Sequence, residues 1–264
     1  MLNFSCNETE EIEKEIEIEV DSTLFSEHLS MATVWFQKSA ENRAIYYQNF
    51  NFAKSILESS FKGKLFNKFK KEKPLAVITD IDETILDNSP YNAQLLETGK
   101  SYNKESWAEW VMEKRAKALP GALDFCKYAE ENGIEIFYVS NRHTDRIDAT
   151  IENLIKEGFP FANKEHVLLK TETSDKTARR NKVFENYNVI LLMGDNLRDF
   201  DEIFGGRGDD LGFNVVSENK DKFGTEFIVF PNPIYGEWEK AVYKGDFSKS
   251  DLEKRQMRKD VLDK

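Results

Sequence analysis

Two aspartates spaced by one residue, Asp80 and Asp82, follow an apolar, β-branched run in Ala76-Val77-Ile78-Thr79-Asp80-Ile81-Asp82-Glu83-Thr84. A buried strand that ends in acidic side chains delivers them where an open α/β sheet does its chemistry. Alternate side chains of an extended chain share a face, so Asp82 points the same way as Asp80. Two carboxylates held close invite a cation, and one of them can then act as a nucleophile. Three further pieces close or follow other apolar runs. They are Ser140 after Ile136-Phe137-Tyr138-Val139, Lys176 in Ser174-Asp175-Lys176, and the pair Asp195 and Asp199 in Gly194-Asp195-Asn196-Leu197-Arg198-Asp199.

Residues so far apart in sequence need a sheet to gather them. From residue 74 onward the pattern alternates strand and helix, which predicts a parallel sheet. Candidate strands are residues 75–79, 134–139, 166–169, 189–193 and 227–230. Candidate helices are 104–113, 121–131, 146–157, 176–185 and 199–204, with Gly133, Gly158 and Gly194 at boundaries. The expected class is α/β, a Rossmann-like parallel sheet flanked by helices with a small, mainly helical cap. The cap is the insertion at 85–118 between the first strand and the next helix. Apolar residues at helical spacing (Trp35, Ile45, Tyr46, Phe50, Ile56, Leu57) make 22–73 an amino-terminal helical segment packing with the cap. Residues 1–21 read as a flexible acidic tether, 74–245 as the core, and 246–264 as a charged tail.

The 264 residues suffice for one large α/β domain. With 48 Asp+Glu against 37 Lys+Arg the net charge is −11, which excludes a nucleic-acid backbone as main partner. A small phosphorylated substrate stays compatible, since a metal and a few local cations reverse the field. The two cysteines, Cys6 and Cys126, have no metal-type spacing, and Cys126 reads as a small core residue. His28, His143 and His166 share no motif, so none is assigned a role and a phosphohistidine route is not expected.

A strand-end Asp, a strand-end Ser, a helix-borne Lys and a second acidic pair, in that order, resemble the haloacid dehalogenase-like phosphohydrolases. The resemblance implies roles that chemistry rationalises. Asp80 attacks phosphorus and forms an aspartyl-phosphate, and Asp82 protonates the leaving alkoxide and then deprotonates the hydrolytic water. Ser140 and Lys176 meet the phosphate oxygens, and Lys176 also neutralises Asp80. Mg²⁺ suits the oxygen ligands: the carboxylates of Asp80 and Asp195 and the backbone carbonyl of Asp82, with Asp199 orienting the ion or its water. A carboxylate two positions after the nucleophile fits phosphoryl transfer and argues against dehalogenation. Asp82 must start protonated while Asp80 stays ionised.

Over residues 25–245 the chain is similar, more narrowly, to the class C acid phosphatases, the bacterial lipoprotein 5′-nucleotidase family. The similarity rests on Asp80-Ile-Asp-Glu-Thr-Ile-Leu-Asp-Asn-Ser-Pro-Tyr91, Leu119-Pro-Gly-Ala122, Val139-Ser-Asn-Arg142, Leu168-Leu-Lys170, Ser174-Asp-Lys176, Gly194-Asp-Asn-Leu-Arg-Asp-Phe200 and Phe230-Pro-Asn-Pro-Ile-Tyr-Gly-Glu-Trp238. It implies a metal-dependent acid phosphatase acting on nucleoside 5′-monophosphates, with Trp107 and Tyr235 stacking on the base and Asn141 near the phosphate. Trp110 reads instead as a helix aromatic with one face packed. A cap as short as 85–118 covers a site incompletely, which predicts tolerance of varied leaving groups. Cys6 before an acidic run resembles the mature start of a Bacteroidetes-type surface lipoprotein. The expected location is therefore the cell envelope, as an outer-membrane lipoprotein anchored through lipidated Cys6 or in the periplasm. A second copy of the chain is a further expected partner. Two other readings use the same residues: a phosphotransferase passing the aspartyl-phosphate to an alcohol, and a catalytically silent nucleotide-binding surface protein.

Overall fold

Seven stretches form strands in the computed structural model, which describes residues 26–62 and 73–263. In chain order they are β1 Leu75–Thr79, β2 Leu86–Asp87, β3 Lys117–Ala118, β4 Glu135–His143, β5 Val167–Lys170, β6 Asn188–Gly194 and β7 Phe227–Val229. Five of them make one sheet in the order β5-β4-β1-β6-β7, and every pairing in it is parallel. β1 is therefore central, and its carboxyl end lies between those of β4 and β6. β2 and β3 pair antiparallel at the two ends of the insertion.

The helices are α1 Ser30–Lys38, α2 Ala40–Lys62, α3 Ser89–Thr98, α4 Lys104–Met112, α5 Ala122–Glu131, α6 Ile147–Glu157, α7 Thr177–Asn186, α8 Phe213–Glu218, α9 Glu237–Val242 and α10 Asp251–Asp260. Their ends follow local chemistry. The Asn103 side chain accepts the Ser106 N–H to open α4, and left-handed Gly99 and Gly158 close α3 and α6. A Ser250–Glu253 capping box opens α10 within the charged tail. The helix expected at 199–204 is instead two 3₁₀ turns, Leu197–Asp199 and Glu202–Phe204. The side chains of Asn196 and Asp201 each capture a backbone N–H two residues on, which restarts the chain twice and leaves no room for a continuous helix.

Alternation along the strands divides the core into two. Val77, Ile136, Tyr138, Leu191 and Met193 face one side, where Phe50 and Leu57 of α2 and Phe125 and Cys126 of α5 cover them. Ala76, Ile78, Phe137, Val139 and Leu192 face the other, against Val183 of α7 and Phe200 and Phe204. The Phe50 ring lies 4.6 Å from Phe230 and 5.7 Å from Phe125. Burying such a ring stabilises the fold by about 1.5–3 kcal/mol. α1 packs against α3 in the insertion, whereas α2 lies along α5 and β7 in the sheet layer. The 1–21 stretch and Cys6 lie outside the described residues.

Candidate active site

β1 runs straight into the site. The Asp80 N–H donates to the Met193 carbonyl of β6 at 2.9 Å, so the sheet register itself fixes Asp80 beside the end of β6. One carboxylate oxygen of Asp80 takes the Lys176 ammonium, and Thr84 Oγ1 donates to the other at 3.4 Å. Lys176 also pairs with Asp199 at 2.7 Å. Asp80, Asp199 and Lys176 are all buried. The expected helix-borne lysine sits one residue earlier, at the N-cap of α7, where it reaches from the helix end across to β1.

Asp199 was expected to support a metal from one helical turn away. The 3₁₀ turn bends the chain back instead, and its carboxylate accepts the Asn196 N–H at 2.9 Å and stands over Gly194. A Cβ at Gly194 would overlap the Asp199 side chain. One oxygen each from Asp80, Asp195 and Asp199 lies within 4.8 Å of the others. Three hard oxygen donors, two after adjoining strands and one from the 3₁₀ turn, could hold a divalent metal ion. The electrostatics favour one as well. Burial raises the Asp80 pKa to about 7, against the pull of Lys176 and with Asp199 and Asp82 adding to the rise. Burial, then Asp199 and Asp80, drives Asp195 well above the usual carboxylate range. Burial pulls Lys176 down, but Asp199 and Asp80 outweigh it and leave its pKa raised. Three carboxylates thus share one ammonium.

The side chain of Asp82 belongs to a different set of contacts. Its Oδ1 accepts Arg142 Nε at 2.9 Å and Asn88 Nδ2 at 2.9 Å, and Arg142 Nη2 approaches to 2.8 Å. Its Oδ2 accepts the Ser140 hydroxyl at 3.2 Å, while Ser140 Oγ accepts the Arg142 N–H at 3.1 Å. Ser140, expected to meet phosphate, therefore gives its proton to Asp82 here. Among the described residues the carboxylates that meet are those of Asp80, Asp195 and Asp199, and the Asp82 side chain is not one of them. Asn141 is exposed, and its Oδ1 accepts Arg179 Nη2 at 2.8 Å.

Trp107 is half-buried, with its ring edge-on to Tyr91 at 5.2 Å and the Arg142 guanidinium 5.9 Å from its centroid. Trp110 is buried rather than half-packed, because its indole N–H donates to Asn88 Oδ1 at 2.8 Å. The Tyr235 hydroxyl donates to the Glu83 carboxylate. Glu83 is fully buried with a left-handed backbone (φ 56°), an uncommon conformation for a residue with a side chain. Its Oε1 accepts the Asn88 N–H at 2.8 Å, and its carbonyl accepts the Tyr46 hydroxyl of α2. Burial, then Asp82 and Asp195, pushes its pKa well up.

Sequence reasoning passed over Arg142, Asn88, Glu83, Arg179 and Asn232. Asn232 Nδ2 donates to Asp195 Oδ2 at 2.8 Å, and its Oδ1 accepts the N–H groups of Ile234 and Tyr235. It therefore joins the carboxylate cluster to the loop that carries Tyr235. An asparagine just beyond the carboxyl end of β7, between two prolines, was the available signal.

Comparison with known proteins agrees with this geometry. A family model for the HAD superfamily, subfamily IIIB (acid phosphatase), matches residues 13–238. The structure of the class C acid phosphatase from Bacillus anthracis is similar at TM-score 0.84 and 42% identity, covering 91% of this chain and 98% of that one. A second structure of that enzyme, with tungstate bound, gives the same score and identity over 92% and 99%. The Stem 28 kDa glycoprotein of Glycine max is 29% identical over 167 residues, which is 60% of this chain and 58% of its own length. Acid phosphatase 1 of Solanum lycopersicum is 29% identical over 130 residues, 46% of this chain and 50% of that one. The matches to these curated plant relatives span 58% and 50% of their length.

Proposed function

The chain belongs to the acid phosphatases of subfamily IIIB of the HAD superfamily, and on that premise we propose that it hydrolyses phosphomonoesters, nucleoside 5′-monophosphates foremost, through an aspartyl-phosphate on Asp80. The observation that carries this reading is the buried contact of Lys176 with Asp80 and Asp199 beside Asp195.

In the first step an Asp80 oxygen forms a bond to phosphorus as the bond to the leaving oxygen breaks. Asp82 gives that oxygen a proton. Its Oδ1 is occupied by Arg142 and Asn88, so Oδ2, beside Ser140, is the atom through which the proton passes. In the second step Asp82 takes a proton from water, whose oxygen attacks phosphorus; phosphate departs and the Asp80 carboxylate is restored. Lys176 stays protonated throughout and offsets the charge on Asp80 and the transferring group. Held by Asp80, Asp195 and Asp199, a divalent cation such as Mg²⁺ would screen the repulsion between the carboxylate and the phosphate dianion.

The nucleotide preference is supported by Trp107 and Tyr235, two half-buried rings from separate segments. Stacking on a base contributes about 1–3 kcal/mol, enough to favour nucleotides over sugar phosphates by one or two decades. The tungstate complex of the Bacillus anthracis enzyme is in keeping with a tetrahedral oxyanion as ligand.

The test is phosphate release from nucleoside monophosphates, an aryl phosphate and a sugar phosphate, with and without EDTA. Release that EDTA abolishes, fastest with nucleotides, is the expected result. Acid quenching should trap phosphate on the peptide that contains Asp80. Activity that survives EDTA, or an Asp80 peptide that never carries phosphate, would overturn the mechanism. An envelope location through lipidated Cys6 is a separate proposal. Among the described residues no helix is long and apolar enough to cross a membrane. Mass spectrometry of native membrane fractions should find Cys6 acylated, and an unmodified Cys6 would end that idea.

A further inference from the structure

Beside the carboxylate cluster, at the ends of β4 and β5, the chain gathers charge of the opposite sign. Lys170 closes β5 and is the register partner of His143 in β4. It is half-buried, and among the described residues no ion pair or hydrogen bond engages its ammonium. Burial lowers its pKa, and the charges that lower it further, those of Lys104, Arg179 and Arg146, are all positive. These neighbours come from three other elements. Lys104 opens α4 in the cap, and Arg146 ends the 3₁₀ turn Thr144–Arg146 after β4, against which α4 packs. Arg146 has one acidic partner, Asp145 at 2.9 Å.

Arg179 of α7 is the link to the site. Its Nη1 donates to the Ser140 carbonyl at 2.5 Å and its Nη2 to the Asp175 carbonyl at 3.0 Å. Its charge reaches Asp80. Four cations brought by cap and core to the ends of β4 and β5 are not what an average face of a chain with net charge −11 presents. Like charges held together cost free energy, and a half-buried ammonium without a counterion costs more. An anion placed among them removes both costs.

We propose that Lys170, Lys104, Arg146 and Arg179 form a second anion subsite on the β5 side of the active site, which takes a further phosphate or carboxylate carried by the substrate. Doubly anionic phosphomonoesters, such as nucleoside 3′,5′-bisphosphates, are then preferred over singly phosphorylated ones. This rests on the phosphatase reading of the Asp80–Lys176 site.

Kinetics on adenosine 3′,5′-bisphosphate and adenosine 5′-monophosphate at low salt test it, in wild type, Lys170→Gln, Lys170→Arg and the double variant Lys170→Gln/Arg146→Gln. Circular dichroism checks that each is folded. Wild type should favour the bisphosphate in kcat/KM. Lys170→Gln should cut that preference about tenfold through KM, as expected for one charge-assisted contact. Lys170→Arg should keep it, and Lys220→Gln, a change at an exposed lysine elsewhere, should not move it. A ratio unmoved by Lys170→Gln overturns the subsite. So does a variant that changes only inhibition by inorganic phosphate, which would make the cluster a product site. If wild type releases phosphate from neither compound, the phosphatase reading falls, and calorimetric binding of the same two ligands to the same variants decides the subsite by the same ratio.

Discussion

The carboxylate cluster and the aromatic side of the site are built in opposite ways. Asp80, Asp195 and Asp199 take their places from strand ends and one tight turn, tied by a backbone bond from Asp80 to β6 and by the turn of Asn196 onto Asp199. Trp107 and Tyr235 come from a cap helix and a loop after β7, and Tyr235 is held by side-chain bonds to Glu83 and through Asn232. Backbone register positions the charges, and side-chain hydrogen bonds position the rings. Chemistry should therefore fail all at once when a cluster residue is lost, and specificity should decline in steps when a supporting contact is lost.

The largest expected effect is Asp80→Asn, with phosphate release down about 10⁴-fold or more and the fold retained, because the proposed nucleophile is gone. Near-normal activity in this variant would remove the cluster from the chemistry. Asp82→Asn should lose about 10²–10⁴-fold on alkyl esters and clearly less on an aryl phosphate, whose leaving group needs no proton. Equal losses on both would assign Asp82 another part.

Metal-free stability supplies the next contrast. The folded-state pKa of Asp80, about 7, lies above its ordinary value of 3.8, so the native protein holds the proton more tightly than the unfolded chain. Stability is then full below the unfolded pKa and falls as pH rises toward 7, by about 4 kcal/mol for Asp80 at full titration. Thermal melts with EDTA from pH 4 to 7 should show the decline, and added Mg²⁺ should reverse it. A flat profile would mean the cluster is not strained by its own charge.

Asn232→Ala touches both regions. It should weaken Mg²⁺ binding by calorimetry about 10–100-fold, as loss of a bond to a ligating carboxylate does. It should also loosen selectivity. A variant that changes neither would uncouple the two sides. The smallest effect is Trp107→Ala, which should reduce the nucleotide-over-sugar-phosphate ratio about tenfold through KM with kcat little changed.

What the sequence revealed follows the same division. β1 was readable to the residue because an unbroken apolar run stops at an aspartate. The approach of Asp80, Ser140 and Asp195 to one another follows once three such runs lie side by side in parallel. The supporting contacts were not readable. Nothing in a single chain says that Arg142 points back to Asp82 or that Asn88 serves Glu83, Asp82 and Trp110 together, because those choices are made by tertiary packing. The 3₁₀ turn at Leu197–Asp199 was missed for a local reason: Asn196 competes with the helix for a backbone N–H, and periodicity is blind to that competition.

The crowding of Gly194 by Asp199 locks two positions to each other in evolution. No residue larger than glycine is reachable at 194 until 199 has shrunk, and shrinking 199 discards a carboxylate. Change at 194 is thereby contingent on change at 199, and a saturation library at 194 alone should recover only glycine.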